Sequence, residues 1–210
     1  MIEAKNVIKK YGQVLALDDF TVNIPKGKIG ILGPNGAGKS TFVKIALGLI
    51  ESTSGDVTVL GENLDKNSIE IRRKIGYMPE HDCIPNKMTG VEFLIEMGQV
   101  SGLDYQTATQ RTHEILGHLQ MGEEKYRLIE EYSGGMRQKI KLAQGLIHGP
   151  ELMFLDEPTS GLDNKFDNFG FTKEESEAGY KNFCVIRCNI KSIEWLYLAA
   201  KGHRRALLKL

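Results

Sequence analysis

The chain has 210 residues, 41% of them apolar, enough for the core of one α/β domain or of a domain carrying an inserted lobe. Its 27 Lys plus Arg are balanced by 27 Asp plus Glu, so no global field draws it to nucleic acid or acidic lipid, and a polyanion site has to be local. Three irregularly spaced cysteines (Cys83, Cys184 and Cys188) form neither a disulfide framework nor a Cys-x-x-Cys pair, the amino terminus has no apolar signal-peptide core, and no apolar run approaches the ~20 residues of a membrane helix. A role at a membrane would need other chains to supply the span.

Residues 1–24 alternate, with VIKKYG and LALDDFTVNI on either side of a turn at Gly12, which predicts short antiparallel strands. Pro25-Lys26-Gly27 turns the chain into KIGIL, the kind of short apolar run that makes a buried parallel strand. Beyond a Gly-rich loop, Phe42, Ile45, Ala46 and Leu49 fall on one helix face. Ser54-Gly55 reads as a turn, and DVTVLG and RRKIGYMP as further strands. From Met88 to about Glu131 the spacing is helical, through Phe93, Met97 and Val100 and then Ile115, Leu116 and Leu119. A Ser-Gly-Gly turn leads into a helix with Met136, Ile140, Ala143 and Ile147 on one side, and ELMFLDEP is a second buried strand, ended by Pro158.

Gly33-Pro34-Asn35-Gly36-Ala37-Gly38-Lys39-Ser40, followed by Thr41, fits G-x-x-x-x-G-K-[ST]. Glycines let the backbone curl around phosphate oxygens with its N–H groups pointing inward, and the following helix adds its positive end. Lys39 is placed to reach the β- and γ-phosphates, and the Ser40 hydroxyl is a hard oxygen ligand suited to Mg²⁺. An apolar strand before the loop and an amphipathic helix after it complete the context of a nucleoside triphosphate site.

LMFLDE puts Asp156 and Glu157 at the C-terminal end of a buried strand, where ligands of open parallel sheets gather. Asp156 is the natural partner for Mg²⁺ and Glu157 the natural general base for an attacking water. A half-exposed strand end often carries acids for no catalytic reason; the phosphate loop upstream is what gives this pair weight.

Just before that strand, Tyr132-Ser133-Gly134-Gly135-Met136-Arg137-Gln138 resembles the LSGGQ signature of ATP-binding cassette (ABC) ATPases, with Tyr132 for Leu and Met136 for Gln. The order of phosphate loop, SGG and LDEPTSGLD carries the resemblance, which extends over residues 1–163. It implies an α/β fold: a P-loop NTPase core with a mixed sheet, an N-terminal antiparallel β portion and a helical subdomain inserted at about 88–148. Tyr11 would stack on adenine, Ser160–Asp163 would be the loop crossing a dimer interface, and Glu80 stands where the family has a glutamine that senses Mg²⁺ and water. A carboxylate there still suits a metal but adds negative charge near the phosphates. The resemblance further implies two cassettes pairing head to tail. Each ATP, with its Mg²⁺, would lie between the Gly33–Ser40 loop of one and Ser133, Gly134 and Gly135 of the other, at the cytoplasmic face of a membrane, where transmembrane permease subunits are driven. No nucleic acid partner is implied.

After Asp163 the family pattern stops. Where a strand ending in a histidine is expected, the chain offers Phe183–Ile186 and then Asn189, while His203 lies in a basic tail. Ile193, Leu196, Tyr197 and Ala200 predict a short helix. Natural divergence of residues 164–210 and a shift of reading frame soon after Asp163 both account for the break. Translating the coding DNA in the other frames separates them. Two alternatives to a transport ATPase follow: a nucleotide-binding cassette with impaired hydrolysis, or a soluble ABC ATPase outside transport.

Overall fold

The computed structural model describes residues 1–27, 29–31, 36–81 and 83–156, together with the backbone of 192–199 and 202–209. The chain divides into two compact units, Met1–Arg72 with Phe166–Leu210, and Arg73–Lys165.

In the first unit, strand β1 (Ile2–Tyr11) and strand β2 (Val14–Ile24) form an antiparallel hairpin around Gly12 and Gln13. Strand β3 (Ser54–Val59) pairs with the other edge of β1, and the two-residue strand β4 (Glu62–Asn63) pairs with β3, giving the order β2-β1-β3-β4. Alternation along β1 slips once: Ile2 and Ala4 are buried, and so is Val7. Asn6 and Asp19 both have positive φ there, and the Asn6 side-chain Nδ2 donates to Asp19 Oδ1 at 2.7 Å. The irregularity lets Val7 face the core as Ile2 and Ala4 do, before the strand runs out to exposed Lys10 and Tyr11.

Helix α1 (Lys39–Ala46) lays Phe42, Ile45 and Ala46 into that core, and the Phe42 ring meets Phe20 of β2 with centroids 4.9 Å apart. Full burial of a side chain the size of Phe42 or Ile45 contributes roughly 1.5–3 kcal/mol. The helix is shorter than its apolar spacing predicts. Gly48 N–H bonds to the Ile45 carbonyl and Leu49 N–H to the Lys44 carbonyl, closing the end in a left-handed cap. Leu49 is thereby turned outward and stays 56% exposed. Helix α2 (Leu64–Arg73) is a second departure, since Arg72 and Arg73 end a helix and do not start a strand. Its sequence is too polar to show a stripe, but Leu64 and Ile71 are buried and the Arg72 guanidinium donates to the Gly48 carbonyl at 2.8 Å. The strand expected at KIGIL is also not seen: 29–31 belong to no ladder among the described residues. A parallel strand exists only through bonds to its neighbours, and apolar content by itself does not supply them.

The second unit contains the inserted helices. Strand β5 (Ile75–Met78) pairs in parallel with strand β6 (Leu152–Leu155), Ile75 opposite Leu152 and Met78 opposite Leu155. Between them run helix α3 (Gly90–Val100), helix α4 (Tyr105–His118), two single 3₁₀ turns and helix α5 (Gly134–Leu146). Thr89 and Glu92 form a reciprocal capping box on α3, and Asp104 caps α4 through the Thr107 amide. The expected helical stripes hold at Phe93, Leu116, Leu119, Ile140, Ala143 and Ile147, all buried, while Val100 at the end of α3 is exposed. Gly76 lets α5 approach β5 closely: a Cβ there would collide with the Gly145 carbonyl and with Met153.

In the first unit's remaining part, strand β7 (Ser192–Ala199) and strand β8 (Gly202–Lys209) form an antiparallel hairpin, Ser192 opposite Lys209 and Ala199 opposite Gly202. This replaces the helix expected over Ile193–Ala200. SIEWLYLA satisfies a helical spacing at four positions, but it is also rich in β-branched and aromatic residues, and a second strand at 202–209 offers the ladder that decides between them. The strand expected at Phe183–Ile186, Asn189, and Ser160–Asp163 lie outside the described residues.

Candidate functional site

The phosphate loop ends on Gly38, the residue that begins α1, at φ 85°. The left-handed turn excludes a side chain on two counts. A Cβ there would be strained, and it would lie 2.5 Å from the Ala16 carbonyl oxygen and 2.7 Å from Leu17 Cδ2. Gly38 has no side chain to cap the helix, and no acidic residue stands in the first turn. The leading amides and the positive end of α1 are thus aimed where an anion is wanted. Lys39 is half-buried and Ser40 exposed on that first turn, with Thr41 behind them; Gly36 is exposed and Ala37 half-buried ahead of them. Gly33, Pro34 and Asn35 lie outside the described residues. Tyr11 ends β1 with its ring 47% exposed and the Lys9 ammonium 5.0 Å from its centroid, an amphipathic surface on which a flat base can stack.

In the second unit, Asp156 directly follows β6. Its amide donates to the Met78 carbonyl at 2.9 Å, one step beyond the last ladder pair, so its backbone is fixed by β5. The Tyr77 hydroxyl donates to Asp156 Oδ2 at 3.4 Å. Burial, with the Asp156 charge beside it, pushes the Tyr77 phenol above the usual tyrosine range, so it stays a proton donor. Glu80 is exposed just after β5, and its carbonyl accepts a 2.8 Å hydrogen bond from the Lys141 ammonium. Lys141 on α5 is only 2% exposed. Nothing in the sequence flagged Tyr77 or Lys141: one reads as an ordinary strand aromatic, the other as a solvent-facing lysine in KIKLA. Glu157 lies outside the described residues.

The signature segment forms the N-terminus of α5. Ser133 is its N-cap and accepts from the Met136 amide at 3.3 Å, with exposed Gly134 and half-buried Gly135 in the first turn and no acidic residue there. Tyr132, the departure from leucine, is buried, and its hydroxyl accepts the Gly90 amide of α3 at 3.2 Å. Burial raises the phenol pKa, with Gly90 N–H opposing. Arg137 donates to the Ile129 carbonyl and to Asn86 Oδ1, both at 2.8 Å. The SGG turn is therefore held from two sides.

No three His, Cys, Asp or Glu side chains cluster as a metal cage among the described residues. Each unit does offer a hard oxygen donor, the Ser40 hydroxyl in the first and the Asp156 carboxylate in the second. Mg²⁺, which keeps its waters, is usually held by one or two such oxygens together with phosphate. No helix among the described residues is long and apolar enough to cross a membrane.

A glycine-led turn at the head of α1, an acid-ended parallel strand and a second glycine-led helix define a P-loop NTPase of the cassette type. The family model described as ABC transporter matches residues 17–160, and the chain belongs to that family. It is 36% identical over 168 residues to the daunorubicin/doxorubicin resistance ATP-binding protein DrrA of Streptomyces peucetius, covering 80% of this chain and 51% of that protein. With the bacitracin transport ATP-binding protein BcrA of Bacillus licheniformis it shares 38% over 164 residues, 78% of this chain and 53% of that one. The chain thus spans about half the length of these relatives. Among solved structures, an ATP-binding cassette captured as a dimer in a post-hydrolysis state with ADP and Pi superposes with a TM-score of 0.69 at 28% identity, covering 79% of this chain and 77% of that one.

Proposed function

We propose that the chain is an ATP-binding and ATP-hydrolysing subunit that powers an ABC-type membrane transporter as one half of an ATP-sandwich dimer. The observation that carries this reading is the head of α1, where Gly38 admits no side chain, no acid intrudes and Lys39 and Ser40 occupy the first turn. The Gly33–Ser40 loop with Thr41 holds the phosphates, Lys39 neutralises the β- and γ-phosphates, and Tyr11 takes the adenine. Ser40 and Asp156, with Glu80, supply oxygens on the Mg²⁺ side, and Glu157 activates the water. The ion adds charge stabilisation to phosphoryl transfer when it is bound. Ser133, Gly134 and Gly135 serve the nucleotide of the partner cassette through the positive end of α5. Residues 1–163 make up the cassette, with the helical insert at about 88–148, and permease subunits supply the membrane span, placing this chain at the inner face of the cell membrane. Relatives named for drug resistance and bacitracin transport support an exporter-type partner.

Phosphate release by the purified chain, with and without a membrane partner, tests the reading. Lys39→Ala is expected to abolish ATP-dependent release; undiminished release in that variant would refute the assignment of the loop. A second reading, nucleotide binding with impaired hydrolysis, is favoured by one residue: Glu80 adds a negative charge where the family has a neutral glutamine. Under it, Glu80→Gln raises turnover while ATP affinity stays within a few-fold of the parent chain. A Glu80→Gln variant that hydrolyses no faster removes that reading.

A further inference from the structure

Asp156 is held by β5 twice, and the two contacts differ in kind. The Met78 carbonyl takes the Asp156 amide at 2.9 Å, which extends the ladder and fixes the main chain. The Tyr77 hydroxyl meets the carboxylate at Oδ2, 3.4 Å away. The register explains why residue 77 can do this. Tyr77 lies opposite Phe154, and Asp156 is two residues beyond Phe154, so all three share one face of the parallel pair. A long side chain at 77 that leans along the strand reaches the next residue on that face of β6, which is Asp156. A phenol can donate without bringing a charge, and a donor on Oδ2 fixes the rotation of the carboxylate and hence the direction of its other oxygen.

We propose that Tyr77 is a positioning residue whose hydroxyl holds the Asp156 carboxylate in the orientation that receives the Mg²⁺ accompanying the nucleotide. This rests on the reading of Asp156 as a metal-side residue. On this reading Tyr77 acts on the ion only through Asp156. Phenylalanine would fill the same space and pair in the same ladder, so the hydroxyl alone can be removed.

The test uses the full 210-residue chain and the equilibrium binding of a fluorescent ATP analogue, first in EDTA and then across a Mg²⁺ titration, for the parent, Tyr77→Phe, Asp156→Asn and the double variant. Tyr77→Phe should bind the analogue in EDTA as the parent does, and should need about fivefold more Mg²⁺ for half-maximal enhancement, the scale of one ordinary net hydrogen bond, as suits a contact of 3.4 Å. Asp156→Asn should shift the titration further, and Tyr77→Phe should add nothing on that background. If Asp156→Asn is shifted and Tyr77→Phe is not, the inference fails while the reading of Asp156 stands. If Asp156→Asn itself titrates like the parent, that reading fails and takes the inference with it. Equal weakening in EDTA and in Mg²⁺ by Tyr77→Phe, with a lowered melting temperature, would mean a merely structural tyrosine and also overturns the inference.

Discussion

Two helices of this chain begin on small residues, and they begin differently. At α1 the N-cap is Gly38, which has no side chain to offer the helix amides and sits at a left-handed φ of 85°. At α5 the N-cap is Ser133, whose hydroxyl takes the Met136 amide and so satisfies one of the leading donors internally. Both first turns lack acids, and both present glycine or backbone outward. The difference is that Ser133 satisfies a leading donor of α5 from within the chain, while Gly38 gives α1 no side-chain cap and Lys39 stands in its first turn. Under the proposed function, the first end would hold the triphosphate and the second would complete a contact with a nucleotide bound to a partner cassette.

Substitutions can break this contrast, and the largest effects are expected at α1. Gly38→Ala should eliminate measurable ATP binding in equilibrium titrations, because its Cβ has no room beside the Ala16 carbonyl and would be strained at that φ. Lys39→Ala should weaken binding at least a hundredfold, since a desolvated charge contact to phosphate is worth about 3 kcal/mol. In the second unit, Gly76→Ala should destabilise by about 3 kcal/mol in urea unfolding, the cost of forcing β5 and α5 apart. Ser133→Ala should be milder, about 1 kcal/mol of stability from a lost N-cap, with ATP binding by the isolated chain unchanged. A large loss of binding in that variant would erase the contrast between the two helix ends.

The smallest effect is one of pH. His148, just past α5, has Nε2 3.0 Å from the Ile75 carbonyl, so that nitrogen carries the proton of the neutral ring. Burial pulls its pKa below the ordinary 6.5, assisted by the Arg111 charge and opposed by the Ile75 bond. The neutral form is therefore favoured in the folded protein. Its contribution is fully present above pH 6.5 and is lost as pH falls through the lower folded-state pKa. Unfolding midpoints measured between pH 7.5 and 5 should fall, and His148→Gln should flatten that dependence.

The parts of the site most legible in the sequence were those where chemistry restricts residue type at fixed spacing: Gly36–Ser40, Ser133–Gly135 and Asp156. The helical stripe of α5 was legible for a different reason, since Ile140, Ala143 and Ile147 face one core and nothing competes with that periodicity. Leu49 misled because a left-handed cap at Gly48 ends α1 before the apolar repeat does. Residues 193–200 misled because their pattern fits two periods, and the choice between them belongs to residues 202–209. Tyr77 and Lys141 gave no signal at all: their roles depend on partners at Asp156 and Glu80, which are far away along the chain.

By itself, then, the sequence determined the family, the order of the phosphate loop, signature and acidic strand, and the residue types able to handle phosphate and Mg²⁺, because these follow from local backbone freedom, charge and hard-ligand chemistry. Only the tertiary structure decided that Tyr77 reaches the Asp156 carboxylate, that a buried lysine holds the Glu80 carbonyl, and that the last described segment is a hairpin. Each of these is a contact between positions remote in sequence. Hydrogen-bond geometry of that kind is fixed by strand register and helix packing, which no single stretch of residues encodes.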